Sequence, residues 1–377
     1  MFALIILIVF EYIIGYLIES QRKKDKIKYG EYTYRVHMLI YLAGTVFILF
    51  SGLRNSYNDT GTYIQEYKYF TNTNIKIEPL KLLKESYYGF YVYRSIIKMI
   101  FKANYHWYFM ITAIIVNVVY MKEFAKHAVH MELVMICYII LDPYMLSNAA
   151  VKQILAMAIA IFAVEALLKN KYKLFYIYLI LAYTFHPYIL VLLIVPFLKG
   201  DVWSKKMCTI FIISIFASML FAKLIGIFLQ LTESIGKNYE MSEMLDHTIN
   251  PIRVVADFGP VVLSYIYKEK INEKGNDFYK LAINMYVMFA ILSFASLFGN
   301  PIYIHRTGQY FALFTPLIVP WILMECIPKN RYKNILVKIY LSAYMGMFCL
   351  DIIQMYIPKY GFFYDFFRHV SILKLFE

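Results

Sequence analysis

Val36-His-Met-Leu-Ile-Tyr-Leu-Ala-Gly-Thr-Val-Phe-Ile-Leu-Phe-Ser-Gly-Leu53 is an uncharged apolar run, and Arg54-Asn-Ser-Tyr-Asn-Asp-Thr-Gly-Thr-Tyr63 follows it without a break. A run of that length reads as a transmembrane helix, so Arg54 and Asp59 fall at a membrane boundary. Ionisable side chains there are costly unless solvated, paired or bound to a substrate, which makes them candidates for function. A lone arginine at such a place is also explained as an anchor at the lipid headgroups.

Similar runs fill the chain. Of its 377 residues 61% are hydrophobic and 17% charged, and the mean hydropathy of +0.55 excludes an ordinary soluble domain. The runs are continuous rather than alternating, so they read as helices and not as barrel strands. The formal charge of +13 gathers in short loops between apolar segments. That is the positive-inside pattern of a membrane protein and not a nucleic-acid-binding stripe. Cys137, Cys208, Cys326 and Cys349 lie in or beside apolar segments without CxxC or Cys/His spacing, so neither a disulfide nor a metal site is expected.

In order, Met1 to Ile18 reads as an uncleaved first span with its start outside, followed by a basic inner loop that includes Arg22, Lys23, Lys24 and Lys26. Val36 to Leu53 returns outward to a long polar stretch reaching about Lys84. Within it Tyr63, Tyr67 and Phe70 recur at helical spacing, which predicts an amphipathic helix at the interface. Tyr87 to Phe101 is short for a span and is broken by Arg94 and Lys98, so it is assigned to the same outer interface over residues 54–105. Spans are expected at Trp107 to Met121, Glu132 to Leu146, Ala149 to Leu168, Met207 to Leu229, Arg253 to Tyr267, Leu281 to Phe298, Gln309 to Ile327 and Ile335 to Asp351. His186-Pro187 splits the apolar run Leu174 to Leu198, which predicts a hairpin of two short helices with His186 at its outer tip. The whole is an all-α integral membrane protein, a single polytopic helical bundle of about twelve spans, with a polar loop from Thr232 to Asn250 and an aromatic tail from Tyr356 to Phe363.

Threaded this way, Arg54, Asp59, Lys152, Gln153, His186, His305 and Arg306 fall at or near the outer ends of different helices. Arginine offers bidentate donors to phosphate and lysine a point charge, so Arg54, Lys152 and Arg306 are candidates for holding a pyrophosphate-linked donor. Asp59 and His186 are the candidates to accept a proton from a sugar hydroxyl. Gln153, Tyr63 and Tyr310 are candidate sugar contacts. A solvated or structural role remains open for each, including headgroup anchoring for Arg54 and Arg306 and a satisfied turn for His186. Glu11, Glu165, Lys223, Asp257 and Glu325 lie in or near spans and read as paired or interfacial, with Asp257 near enough to Arg253 to extend the site.

Three stretches resemble the EpsG family of exopolysaccharide polymerase-like membrane proteins, relatives of the Wzy-type O-antigen polymerases. Gly52-Leu-Arg-Asn-Ser-Tyr-Asn-Asp-Thr-Gly-Thr-Tyr63 is similar to the family's Arg-to-Asp segment. Ser147-Asn-Ala-Ala-Val-Lys-Gln153 with Phe185-His-Pro-Tyr188 resembles its Asn-x-x-Arg-Gln and Phe-His-Lys-Ser block, and His305-Arg-Thr-Gly-Gln-Tyr-Phe311 its late Arg and Tyr-Phe element. Lys152 stands where the family has arginine, which keeps the charge and loses the fork. Pro187-Tyr188 stands where it has Lys-Ser, which removes a cation and a hydroxyl beside His186.

The resemblance implies a metal-independent glycosyltransferase, without cofactor, that joins undecaprenyl-pyrophosphate-linked oligosaccharide repeat units. It would work at the outer face of the bacterial plasma membrane, in capsule, exopolysaccharide or O-antigen synthesis. A chain-length regulator or export proteins are the protein partners that such a pathway suggests. The alternatives are a flippase for the same lipid-linked units, a membrane acyltransferase that decorates the polymer, and a non-catalytic assembly subunit.

Overall fold

The structure, a computed structural model, describes residues 2–26, 33–70, 87–220, 249–329, 331–360 and 368–376. Lys28, Lys223, the polar residues 71–84, nearly all of the loop Thr232 to Asn250, and the end of the aromatic tail lie outside the described residues. The chain divides into two compact units, Met1–Leu190 with Leu341–Glu377, and Val191–Tyr340.

The first unit contains α1 (Phe2–Asp25), α2 (Tyr34–Gly52), the short α3 (Thr60–Tyr69) and α4 (Tyr88–Phe101), α5 (His106–His127), α6 (Met131–Ile140), α7 (Pro143–Ala149), α8 (Val151–Leu168) and α9 (Tyr172–Tyr183). Helix α1 packs on α6 and α2, α2 on α5, α5 on α8, and α8 on α9. Their shared core is aromatic. The Phe47 ring lies 5.2 Å from Tyr138 and 4.8 Å from Tyr144, and Tyr138 lies 4.9 Å from Tyr120 and 5.1 Å from Phe124. Buried phenols need partners there, and Tyr138 donates to Asn117 Oδ1 at 3.1 Å while Tyr144 donates to the Phe47 carbonyl at 3.1 Å.

The second unit contains α10 (Lys205–Met219), α11 (Pro251–Asp257), α12 (Gly259–Ile266), α13 (Lys268–Lys274), α14 (Asp277–Ala295), α15 (Pro301–Gly308) and α16 (Thr315–Trp321). Helix α14 is its axis, buried on nearly every face, with α10, α11, α12, α15 and α16 packed around it. Asn284 of α14 donates to the carbonyls of Leu198 at 2.8 Å and Gly200 at 3.2 Å. Helix α17 (Lys333–Tyr360) belongs partly to each unit and absorbs the first residues of the expected aromatic tail.

Among the described residues six helices are long and apolar enough to cross a membrane: Ala3–Asp25, Tyr34–Gly52, His106–His127, Val151–Leu168, Asp277–Ala295 and Lys333–Ile353. Two bent pairs, Met131–Ile140 with Pro143–Ala149 (41°) and Pro301–Ala312 with Thr315–Cys326 (60°), raise the number to eight if each is one span. The expected twelve is therefore not reached among the described residues. Of the four not counted, two are the 12-residue helices on either side of His186, Met207 to Leu229 runs past Leu220 beyond the described residues, and Arg253 to Tyr267 is broken. The expected span Arg253 to Tyr267 is two short helices interrupted at Phe258, with Pro260 at the start of the second. Pro320 and a π-turn at Ile322–Cys326 distort the segment after Gln309.

The split at His186 is present: α9 stops at Tyr183 and a 3-10 helix, Pro187–Leu198, resumes beyond it. A 3-10 helix eclipses every third residue, and Ile189, Leu192, Val195 and Leu198 are the ones buried. Its rise of about 2 Å per residue lets 12 residues extend roughly 24 Å.

The two short helices expected after Arg54 are also present, and they explain the charges that interrupt Tyr87 to Phe101. Arg94 of α4 pairs with Glu66 of α3 at 3.1 Å and lies over the Phe70 ring at 4.3 Å. Lys98 donates to the carbonyls of Tyr67 at 2.6 Å and Lys68 at 3.0 Å, closing the C-terminal end of α3.

Two expectations about isolated charges need revision, those for Arg22 and Glu11, whereas Asp257 is paired as expected. Arg22 sits in the last turn of α1, not in a solvated loop, and is buried between Glu19 at 2.9 Å and the Ala128 carbonyl at 3.0 Å. Glu11 is fully buried in α1, and neither carboxyl oxygen has a hydrogen-bond partner among the described residues. Asp257 is engaged by Ser293 and His305. The four cysteines are free thiols.

Helices α1 and α6 meet backbone to backbone at Gly15, where an added Cβ would lie 2.6 Å from Glu132 Cα and 2.8 Å from its amide nitrogen. Small residues permit such close crossings in membranes. Gly15→Val is expected to destabilise the detergent-solubilised protein by about 1–3 kcal/mol, read as a lower thermal midpoint.

Candidate functional site

Helix α2 ends where the amide of Leu53 makes its last helical bond, to the Leu49 carbonyl at 3.0 Å. Arg54 then turns back into the unit and is 1% exposed. Its Nη1 donates to the Ser51 carbonyl at 2.6 Å, and its guanidinium lies over the Phe109 ring at 4.4 Å. Nε and Nη2 are buried and have no hydrogen-bond partner among the described residues. Burial pulls the guanidinium down to about 10, opposed by the hydroxyls of Tyr108, Tyr144, Tyr63 and Tyr57. It is therefore a cation at neutral pH.

The turn after Arg54 is tight, with Asn58 at φ 43° and the Thr60 amide donating to the Tyr57 carbonyl at 2.9 Å. Asp59 sits at the head of α3 without capping it, half-buried and one turn before Tyr63. Burial, and then the Asp59 carboxylate, push the Tyr63 hydroxyl up to about 12, although it faces the backbone N–H groups of Lys152 and Val151. Tyr63 thus joins the Arg54 turn to the start of α8. At that start Lys152 Nζ lies 5.2 Å from the Tyr87 ring centroid and 5.3 Å from that of Phe90, a cation between two aromatic faces. Tyr87 meets the His186 ring edge-on at 5.6 Å, and His186 meets Tyr188 at 5.3 Å. The first unit therefore brings Arg54, Asp59, Tyr63, Lys152 and His186 into one neighbourhood. Gln153 is buried within α8.

Tyr87, which drew no attention in the sequence as a site residue, is the link between Lys152 and His186. It holds a left-handed conformation, φ 64° and ψ 18°, and such strain is sustained only where the surroundings impose it. The imposing contact is the break at Thr184–His186: the Gly89 amide donates to the Thr184 carbonyl at 2.9 Å. Phe109 beneath Arg54 and the bridge at His369 beside it carry no sequence signal, because they come from residues 55 and 315 positions away.

Arg306 and Tyr310 belong to the second unit, where Arg306 is exposed and Tyr310 fully buried. Next to Arg306, His305 packs on Phe289 at 5.4 Å, with its Nε2 3.5 Å from Asp257 Oδ2. Ser293 donates to the same carboxylate oxygen at 2.5 Å. His305 therefore has a carboxylate partner that sequence proximity did not show.

A comparison with known protein families matches residues 37–366 to the EpsG family. Comparisons with curated proteins and with solved structures return no match.

A Cβ at Gly89 would lie 2.0 Å from Thr184 Oγ1 and 2.8 Å from Thr184 Cβ. Gly89→Ala is expected to push α4 off the break and to separate Tyr87 from both Lys152 and His186. A cross-link between cysteines at Tyr87 and His186 should then form more slowly, and Thr184→Gly should restore much of the rate.

Proposed function

Because the chain belongs to the EpsG family, a family of Wzy-like membrane polysaccharide polymerases, we propose that it joins lipid-pyrophosphate-linked oligosaccharide repeat units at the outer face of a bacterial plasma membrane. A hydroxyl oxygen of one unit attacks the anomeric carbon of the other. The glycosidic bond forms, the carbon–oxygen bond to the pyrophosphate breaks, and the lipid pyrophosphate leaves with the electron pair. The hydroxyl proton passes to His186 or Asp59.

The observation that supports this reading most directly is the unused edge of Arg54. With Nη1 committed to Ser51, the nitrogens without partners among the described residues are Nε and Nη2, which form the side-on edge of a guanidinium. Two parallel N–H donors on one edge match two oxygens of a phosphate. Lys152 adds a point charge at the start of α8, and on the second unit, taken by itself, the exposed Arg306 offers a fork of the same chemistry. Charge that develops on the departing pyrophosphate is stabilised by these cations. Tyr63 and Gln153 are the sugar contacts of the first unit, and Tyr310, fully buried in the second, is the sugar contact that the fold supports least. In this topology α9 and the 3-10 helix form a hairpin whose outer tip is His186, and the short apolar helices complete about twelve crossings. Undecaprenyl pyrophosphate is the carrier, and a capsule, exopolysaccharide or O-antigen is the product.

Reconstituted protein supplied with lipid-linked repeat units is expected to yield a ladder of longer chains on gels. Arg54→Ala and Arg306→Ala should each slow lengthening by about 100-fold or more, whereas Lys152→Arg should retain it. A wild-type rate from the Arg54→Ala protein would overturn the assignment. For orientation, Tyr69 is 82% exposed at the end of α3. A cysteine in its place should react with an impermeant thiol reagent added to intact cells, and labelling only after permeabilisation would invert the topology.

A further inference from the structure

Trp107 stands in the first turn of α5, on the helical stripe that continues through Ile111 and Ile114 to Val118. Ile114 and Val118 are exposed, as is Ile115 beside them, whereas Thr112, Ala113, Val116 and Asn117 are buried. In a helix long and apolar enough to cross a membrane, an exposed stripe of this kind is the side turned to lipid. Trp107 carries it up to the headgroup level, where indole rings gather.

Two apolar elements are fastened to Trp107. One is α4, whose last residue, Phe101, stacks on the indole at 4.6 Å and 18°. Ile96, Met99 and Ile100 form an exposed stripe along α4, and Ser95 and Ile97 are buried behind it. The other is the segment 371–376. Trp107 Nε1 donates to the Leu375 carbonyl at 2.6 Å, and Asn104 Nδ2 donates to the Lys374 carbonyl at 2.9 Å. Ser371 Oγ accepts from the Leu373 amide at 3.3 Å and so caps the short 3-10 turn Ile372–Leu375. Leu375 is buried, and with the backbone pinned on that side Ile372, Leu373 and Phe376 face outward. Leu373 is 66% and Phe376 78% exposed. Three large apolar side chains held outward within five residues are costly in water and mark an interaction surface.

The position of that surface identifies its partner. It adjoins the first turn of a spanning helix and prolongs the stripe at Ile114 and Val118, so the medium that covers the stripe also covers the segment. Exposed cations stand beside it: Lys102 follows the end of α4, and Lys68 lies over the Tyr105 ring at 5.2 Å. Apolar side chains with cations beside them at this depth match acyl chains beneath anionic headgroups.

We propose that residues 371–376 form a lipid-inserted anchor: Ile372, Leu373 and Phe376 enter the boundary between headgroups and acyl chains, beside the exposed stripe of α4, and Trp107 holds them at that depth. The anchor goes beyond the polymerase reading and stands without it. Phe109, whose ring lies under Arg54, belongs to the same first turn of α5, so the anchor also fixes the depth of Arg54.

The test uses the full chain with Cys208 and Cys349 replaced by serine, so that the native thiols left are the buried Cys137 and Cys326. Leu373→Cys and Phe376→Cys, made separately, each carry the fluorophore NBD, and the thermal midpoint in detergent checks that each variant folds. The proteins are reconstituted in vesicles of phosphatidylethanolamine and phosphatidylglycerol, plain or with bromine near the headgroup end of the acyl chains. Bromine is expected to lower the emission from both positions by about half or more. Equal emission from brominated and plain vesicles would overturn the anchor. Oxidative cross-linking of Phe376→Cys chains to one another without quenching would also overturn it, and would assign the surface to a second copy of the chain.

Discussion

A buried guanidinium with no counter-charge among the described residues sets the terms for the first unit. Removing such a cation from water costs several kcal/mol even after relaxation. Against that, Arg54 has one charged hydrogen bond, to the Ser51 carbonyl, worth about 1.5–3 kcal/mol. The Phe109 face adds roughly 2 kcal/mol. Among the described residues no carboxylate pairs with it and two of its nitrogens are idle. The balance is close, and it is close because the best hydrogen-bonding edge is withheld. A residue kept only for anchoring would snorkel to the headgroups and satisfy that edge in water.

The surrounding chain is shaped to hold this position. Helix α2 stops one residue short of Arg54, Asn58 takes a left-handed turn to start α3, and Tyr63 then reaches the first amides of α8. Strain recurs at the next joint, where Tyr87 is left-handed at the head of α4, and again at Asp142, φ 82°, where α6 bends into α7. These departures from regular backbone lie at the ends of helices that meet around Arg54, Lys152 and His186. Irregular backbone at membrane depth is tolerated where it is buried in protein or lines a cavity, so their clustering marks the part of the unit that is not mere scaffolding.

Much of this was legible in the sequence because helix formation in lipid is governed by local hydropathy. The run ending at Leu53 became α2, and the aromatic spacing at Tyr63 and Tyr67 became α3. Hydropathy is blind to direction, however. It counted Arg253 to Tyr267 as one crossing although Phe258–Pro260 breaks it, and it set Arg22 in a loop although that side chain is folded under α5. It was also blind to distance. The pairing of Arg54 with His369 and of Asp257 with His305 depends on which elements the fold brings together, and no local pattern encodes that.

The lysine at position 152 acquires a physical meaning once its neighbours are known. The ammonium lies between the rings of Tyr87 and Phe90, and a compact charge on a flexible stem suits that slot without needing a fixed plane. A guanidinium there would stack on one ring and direct its fork along it. The lysine gives up bidentate geometry and keeps a positive potential at the mouth of α8, where the helix dipole already favours an anion. In the proposed site, geometric selection of a phosphate within the first unit would fall to the Nε and Nη2 edge of Arg54, and Lys152 would attract charge from a distance.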